Sequence, residues 1–334
     1  MKSAASIDWL TFTVKMVTDP VEVIKRFLYM DSNLFADNDF GKFGYRKSMQ
    51  FGGIMVYYDP AEGRKLEMGV CVSMTGVGCR TFELYTRLTA AGTPLRALIE
   101  QIHISDNVHC TRLDLALDDK DKLLDLDRIA DAVESGCVNS RIRKRTIYRT
   151  YDNANAAGTT VYIGAPASDF RIRFYDKAKE KYENTDERYY MHWVRLEMVM
   201  RGNNADGCIA AICNSDDLGL LASAILNDKL AFVERDSDSN ISRCHICKWW
   251  LDFVDAVAAV KLVEKEDVPH KLERSIDWIR NQVAPSLSLI ADARGFFLIR
   301  EILALGADKR TKQQQALLDD YRNSYHFVQS EDLI

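Results

Sequence analysis

The segment DFRIRFYDKAKEKYE, residues 169–183, combines an apolar side with a strongly basic side. Successive side chains of a β-strand point to opposite sides, so Phe170, Ile172 and Phe174 fall on one side and Tyr175 falls on the other. The cationic residues that share the side of the tyrosine are Arg171, Arg173 and Lys177. This alternation predicts a half-buried β-strand whose outer face surrounds one phenol with positive charge.

Two further segments repeat this arrangement of an apolar back and a charged front. They are CTRLDLALDD, residues 110–119, and WVRLEMVM, residues 193–200. Their charged sides carry Arg112, Asp114, Asp118, Arg195 and Glu197. Taken singly, each strand is also explained by a solvated face or by a cross-strand ion pair. Together, the three strands indicate one sheet surface that collects carboxylates, cations and a tyrosine.

Such a surface suits the chemistry of a phosphodiester, an anion that repels nucleophiles. Arginine offers paired hydrogen bonds to phosphate oxygens, and carboxylates hold divalent metals that neutralise charge in the transition state. A tyrosine oxygen becomes a nucleophile when neighbouring cations lower its pKa. The expected nucleophile is Tyr175. The expected metal ligands are Asp114, Asp118 and Glu197. The expected phosphate contacts are Arg112, Arg171, Arg173, Lys177 and Arg195.

The choice of Tyr175 among the tyrosines depends on this charge pattern alone. A tyrosine inside a strand is most often a half-buried structural residue. Nearby alternatives along the chain are Tyr148, Tyr151, Tyr162, Tyr182, Tyr189 and Tyr190. Of these, Tyr148 and Tyr151 flank Arg149, and such a pair could stack the bases of single-stranded DNA.

The composition is that of a soluble globular protein. Of 334 residues, 47% are hydrophobic and 28% charged, and the sequence lacks the ~18 uninterrupted apolar residues of a membrane span. The first residues lack the apolar core of a signal peptide, and the eight cysteines are scattered. We therefore expect a cytoplasmic protein with reduced thiols and no membrane partner.

The net charge of −5 argues against a protein that simply coats nucleic acid. Basic residues are nevertheless concentrated in residues 141–181, which contain ten Lys or Arg against four Asp or Glu. This strip predicts a local contact with phosphate. Three further candidate DNA contacts, for which a solvated charge run is the alternative, are Arg143, Lys144 and Arg145.

The period of the apolar residues changes along the chain. Residues 1–240 contain short alternating segments with a few amphipathic helical segments between them, and residues 241–334 carry apolar residues at helical spacing. We therefore predict an α+β fold, with a mainly antiparallel β-sheet catalytic domain and flanking helices, followed by an α-helical C-terminal region. The predicted boundary lies between residues 240 and 241.

In order and spacing, these segments resemble the replication initiation factors of rolling-circle plasmids, filamentous phages and conjugative elements. The resemblance runs through about two thirds of the chain. The segments that carry it are MTGVGCRTFE, CTRLDLALDD, TTVYIG, SDFRIRFYDKAKE and WVRLEMVM. On this resemblance the tyrosine of the RFYDK strand corresponds to Tyr175, and the acidic strand positions correspond to Asp114, Asp118 and Glu197.

The resemblance implies a nickase that acts at an origin hairpin and its single-stranded nick region, with Mg or Mn as cofactor. It implies a tyrosine joined to the 5′ phosphate, a free 3′ hydroxyl that primes synthesis, and a later strand transfer that closes the circle. It also implies a homodimer, with the C-terminal helices in dimerisation, DNA binding or contact with a host helicase. Two alternatives stay open, a non-covalent metal-dependent nuclease and a DNA-binding regulator without catalysis.

Overall fold

In the structure, a computed structural model, the chain folds into two compact units. The first comprises residues 1–83 and 93–263, and the second comprises residues 84–92 and 264–334. The residues that the structure describes are 4–60, 64–89, 95–152, 155–181, 191–215, 217–235, 240–258 and 279–310, with 315, 318 and 319.

Ten of the described strands form one antiparallel sheet in the first unit. In chain order the strands are β1 (Ala4–Val14), β2 (Ala36–Asn38), β3 (Tyr45–Phe51), β4 (Ile54–Pro60), β5 (Val70–Met74), β6 (Val108–Asp119), β7 (Val138–Asn139), β8 (Arg145–Asp152), β9 (Asn155–Ile163), β10 (Phe170–Asp176), β11 (Val194–Arg201), β12 (Ala231–Glu234) and β13 (His245–Ile246). Across the large sheet they lie in the order β2-β3-β4-β5-β1-β6-β11-β10-β9-β8, and β13, β12 and β7 form a small second sheet.

The described α-helices belong to the first unit or to the second, except that the residues of α3 are divided between the two. They are α1 (Pro20–Val23), α2 (Lys65–Met68), α3 (Gly76–Thr89), α4 (Leu95–Ile104), α5 (Leu126–Glu134), α6 (Lys177–Lys181), α7 (Asn203–Cys213), α8 (Leu218–Lys229), α9 (Lys248–Ala258), α10 (Ala284–Arg294) and α11 (Phe296–Asp308). Two of these starts follow from the sequence, because an aspartate accepts a hydrogen bond from the first turn of α5 and of α8.

The apolar back of the three patterned strands forms the core of the first unit. Leu115 of β6, Ile172 and Phe174 of β10 are almost completely buried. The ring of Phe174 lies 6.1 Å from that of Phe232 in β12 and 6.3 Å from that of Trp250 in α9. Because each large apolar side chain buried in this way contributes about 1.5–3 kcal/mol, this packing fixes which face of the sheet turns outward.

The predicted fold class is confirmed, since a large antiparallel sheet is flanked by helices and C-terminal helices follow. The predicted boundary at residues 240 and 241 stays a prediction. Helix α9, which that prediction assigns to the C-terminal region, packs Trp250 against β10 within the first unit. Much of the predicted C-terminal region, residues 259–278 and most of 311–334, lies outside the described residues. None of the described helices combines the length and apolarity needed to span a membrane.

Candidate active site

The three patterned strands are neighbours in the sheet, with β11 between β6 and β10. The register places Tyr175 opposite Arg195 and Arg195 opposite Asp118. Two residues before Tyr175 on β10, and therefore on the same face, Arg173 lies opposite Glu197 of β11. Since directly opposite residues on adjacent strands have Cα atoms about 4.5–5.5 Å apart, these side chains share one compact face. We call it the charged face, formed by Arg112, Asp114, Asp118, Arg171, Arg173, Tyr175, Arg195 and Glu197.

Tyr175 and Glu197 are in direct contact at the centre of the charged face. The Tyr175 hydroxyl donates a hydrogen bond of 2.6 Å to Oε1 of Glu197, and Nη2 of Arg173 lies 2.8 Å from Oε2. The guanidinium of Arg173 also covers the Tyr175 ring, 4.1 Å from its centroid. Tyr175 is only 6% exposed and Glu197 only 4%. The phenol is therefore held between a carboxylate and a guanidinium.

The environment raises the pKa of Tyr175 above its ordinary value. Burial is the largest cause, followed by the charge of Glu197 and the hydrogen bond to it, while Arg173 and Arg195 act in the opposite direction. The expectation that cations lower the pKa of this phenol is therefore wrong for this arrangement. The physical reason is that burial, together with the charge of Glu197 and the hydrogen bond to it, outweighs the effect of the two arginines on this pKa. Tyr175 is a neutral hydrogen-bond donor here.

Asp114 is bound by the neighbouring Arg112 of the same strand. Nε and Nη2 of Arg112 lie 2.9 and 2.6 Å from the two carboxylate oxygens, and the guanidinium stacks 3.9 Å above the Trp9 ring. Burial raises the pKa of Asp114 to about 6, with Arg112 opposing and the charge of Glu197 adding to the rise. Asp114 and Glu197 are thus close enough to influence each other electrostatically.

Asp118 is occupied by Arg195, which also binds a residue that the sequence did not single out. Nε and Nη2 of Arg195 donate to the two oxygens of Asp118 at 2.7 and 2.9 Å. Nη1 of the same guanidinium donates to Oδ1 of Asp8 at 2.8 Å. Asp8 lies at an irregularity of the register between β1 and β6, which turns it toward this face. Its only sequence signal is a carboxylate inside the apolar run IDWLTFTV.

The remaining predicted cations do not all join the charged face. Lys177 forms an ion pair with Glu180 in α6, and its ammonium lies 5.6 Å from the Tyr175 ring centroid. Arg145 donates to the carbonyl of Val138 at 3.0 Å, and by alternation its side chain falls on the other side of β8 from Tyr148. Arg143 and Lys144 are exposed residues that precede β8, away from Tyr175.

Of the alternative tyrosines, Tyr148 and Tyr162 lie on the charged side of β8 and β9, whereas Tyr151 alternates to the other side. Arg149 also faces away, because it binds Glu134 of α5 at 2.9 Å. Three further alternatives lie outside the described residues, namely Tyr182, Tyr189 and Tyr190.

The carboxylates of the charged face meet only part of the ligand requirements of a divalent metal ion. Among the described residues, no three metal-ligating side chains come together as a preformed site. Asp114 and Glu197 are diagonal neighbours on β6 and β11, and such a pair fits an ion that takes one or two carboxylates and completes its shell with substrate phosphate. All three carboxylates are already engaged by protein groups. Asp114 has both oxygens on Arg112, and Asp118 has both on Arg195. The oxygens of Glu197 are held by Tyr175 and Arg173, so the ligand roles of the three residues stay predictions.

Comparison with known proteins assigns the chain to a family. The family model described as "Replication initiation factor" matches residues 108–303, more than half of the chain. The model described as "Rolling Circle replication initiation protein N-terminal domain" matches residues 4–92. The first match includes β6, β10 and β11, and the second includes Asp8.

Two relatives agree with this assignment. The chain is 28% identical to the putative DNA relaxase NicK of Bacillus subtilis over 295 residues, covering 86% of this chain and 80% of the relative. It is also similar to a solved structure, a rolling circle replication initiator protein from Geobacillus stearothermophilus. That similarity has a TM-score of 0.68 and 28% identity, and it covers 78% of this chain and 98% of the other. The predicted membership is confirmed, and this chain belongs to the replication initiation factor family.

Proposed function

We propose that this protein initiates rolling-circle replication by nicking one DNA strand at an origin, with Tyr175 as the covalent nucleophile. Family membership and the relaxase and initiator relatives support the nicking activity. The observation that carries the choice of nucleophile is the 2.6 Å hydrogen bond from the Tyr175 hydroxyl to Glu197. A nucleophile and a proton acceptor within hydrogen-bond distance are the geometric requirement for such a step.

In the proposed step the Tyr175 oxygen attacks the scissile phosphorus while its proton moves to Oε1 of Glu197. The bond between phosphorus and the 3′ oxygen breaks, and that oxygen takes a proton from solvent. The products are a tyrosine ester of the 5′ phosphate and a free 3′ hydroxyl. Later, the 3′ hydroxyl of a second strand end attacks the phosphorus of this ester. The bond from phosphorus to the Tyr175 oxygen then breaks, and the DNA is rejoined. Because the pKa of Tyr175 is raised, the proton acceptor is essential to this step.

The arginines of the charged face position the phosphate and balance the negative charge of the transition state. Arg173 lies directly over the Tyr175 ring. Asp114 and Glu197 are the residues that would hold Mg or Mn, and such an ion supplies further positive charge at the phosphate when bound. These phosphate contacts carry no sequence information, so origin choice belongs to other surfaces.

An end-labelled oligonucleotide with a candidate origin hairpin, incubated with the full-length protein and Mg or Mn, tests the proposal. We expect a denaturation-resistant protein–DNA adduct that disappears in Tyr175→Phe. A matched control is Tyr151→Phe, since this tyrosine is 64% exposed and alternates to the other side of the sheet. An adduct that persists in Tyr175→Phe, or one that is lost equally in the control, would contradict the assignment.

The burial of Tyr175 favours one alternative, a non-covalent nuclease in which the phenol only positions phosphate. Cleavage without an adduct, surviving in Tyr175→Phe, would support that alternative. Binding without cleavage under either metal would support a DNA-binding regulator.

We further propose that the protein acts in the cytoplasm as a homodimer together with a host helicase. Large apolar side chains are exposed on the two described C-terminal helices and suit dimer packing, namely Leu289, Phe296, Phe297 and Leu303. Sedimentation of the full-length chain and of Phe297→Ser tests this. A monomer at all concentrations would contradict the dimer.

A further inference from the structure

The charged face continues beyond Tyr175 onto the two strands at one edge of the large sheet. Tyr162 of β9 lies opposite Arg173, and Thr160 lies between Tyr175 and Tyr148 of β8 in one row across the sheet. Because adjacent strands are about 4.8 Å apart, Tyr162 is one strand and Tyr148 two strands, about 10 Å, from the β10 backbone. β8 is the last strand of the sheet.

Three side chains at this edge form a continuous row of contacts between rings and a guanidinium. The guanidinium of Arg171 lies 3.8 Å from the centroid of the Tyr162 ring, and the Tyr162 and Tyr148 rings meet edge to face with centroids 5.7 Å apart. We call Tyr148, Tyr162 and Arg171 the edge platform. Tyr148 is 58% exposed, so its ring is accessible to a ligand.

The charge of the edge platform differs from that of the Tyr175 site. Within the part of the chain that the structure describes, Arg171 forms no ion pair with a carboxylate. The groups that act on its charge are Tyr162, Tyr148 and two other arginines, Arg173 and Arg201. Its buried Nε also lacks a hydrogen-bond partner among the described residues. The platform therefore combines open aromatic surface with uncompensated positive charge.

We propose that the edge platform binds unpaired bases of single-stranded DNA beside the scissile phosphate, an inference that rests on the proposed nicking function. Proteins that bind single strands combine aromatic stacking with cations that contact the backbone, and arginine stacked on an aromatic ring adds to both. Along a DNA strand only unpaired bases expose a face to Tyr148, since both faces of every base inside a duplex are covered and only the two terminal pairs expose one. Stacking tolerates any base, so the platform supplies affinity for melted DNA and not the choice of origin.

The test measures binding separately from nicking. A short fluorescein-labelled oligothymidylate is titrated by anisotropy with full-length protein in EDTA, so that no metal-dependent cleavage intervenes. Tyr148→Ala should weaken this binding about tenfold, because each stacked base is worth about 1–3 kcal/mol. Tyr148→Phe keeps the ring and should bind like the wild type. The matched control is Tyr151→Ala, which removes a similarly exposed tyrosine from the other side of the same strand.

A blunt duplex of equal length separates stacking from contact with the backbone. Tyr148→Ala should leave duplex binding within about twofold, as for an ordinary surface substitution. Equal losses on single and double strands, equal losses in Tyr148→Ala and Tyr151→Ala, or unchanged single-strand binding in Tyr148→Ala would each overturn the platform. Circular dichroism of each variant verifies the fold.

Failure of the platform and failure of the proposed function give different results. If the wild type forms a Tyr175 adduct while Tyr148→Ala binds oligothymidylate normally, the platform is wrong and the nicking function stands. If neither an adduct nor cleavage appears under any metal while Tyr148→Ala loses single-strand binding, the platform stands and the nicking function is wrong.

Discussion

The centre of the charged face and its edge use arginine in opposite ways. At the centre, Arg112, Arg173 and Arg195 are each held by a carboxylate at 2.9 Å or less. At the edge, Arg171 stacks on Tyr162 and has no such partner among the described residues. The centre is thus a set of ordered ion pairs, whereas the edge is positively charged.

This difference separates two tasks of the arginines, which are to fix the geometry of the site and to attract DNA. A buried arginine fixed by a carboxylate keeps its position but offers little net charge to a distant phosphate. An unpaired arginine near the surface attracts DNA and is less constrained. We infer that the centre provides precise geometry around Tyr175 and that the edge provides attraction.

Glu197→Gln should reduce nicking about 10²- to 10⁴-fold, the usual range for loss of a proton acceptor in the reacting position. The amide keeps the shape of the side chain but cannot take the Tyr175 proton or neutralise Arg173. Single-turnover adduct formation measures the effect, and oligothymidylate binding in EDTA should hardly change. Glu134→Gln, at the exposed partner of Arg149, is the matched control. Adduct formation at a rate near that of the wild type would refute the role of Glu197.

Arg195→Met should lower the free energy of unfolding by about 3–5 kcal/mol, because it leaves Asp118 and Asp8 without their common partner. The same substitution at the edge, Arg171→Met, removes no carboxylate partner found among the described residues and should cost less than about 1 kcal/mol. Urea denaturation of both variants gives the comparison directly. Equal destabilisation would show that the centre and the edge do not differ in this way.

Asp114 makes the stability of the centre depend on pH. Its pKa is raised from 3.8 to about 6 in the folded protein, so the folded state binds its proton more tightly than the unfolded state does. The contribution of Asp114 to stability is therefore fully present below about pH 4 and is lost as the pH rises to about 6. The wild type should lose about 2–3 kcal/mol relative to Asp114→Asn over that interval. Parallel stability curves for the two proteins between pH 4 and 7 would contradict the shift.

The strand pattern was sufficient to predict the fold class and the shared face. Alternation fixes which residues of β6, β10 and β11 point together, because the apolar residues opposite them must reach the core around Phe232 and Trp250. Helix α9 was harder to assign. Its helical period was readable, but only packing against Phe174 shows that it belongs with the sheet.

The electrostatics of the site could not be read from the sequence. A count of cations around Tyr175 suggested a lowered pKa, but the sequence does not reveal that Glu197 receives the hydroxyl or that burial dominates. Asp8 was missed for a related reason. Its position depends on an irregular register between β1 and β6, which one extra residue creates and which no local pattern indicates.

Arg171→Ala tests whether the edge attracts DNA through this guanidinium. If Arg171 contacts one phosphate, its removal should reduce the slope of log affinity for oligothymidylate against log salt by about 1. Arg149→Ala is the matched control, since that arginine lies two strands away on β8 and binds Glu134 on the other side of the sheet. Its slope should equal that of the wild type. Because a cation that contacts a DNA phosphate releases a counterion, equal slopes for all three proteins would mean that Arg171 contacts DNA no more than the ion-paired Arg149 does.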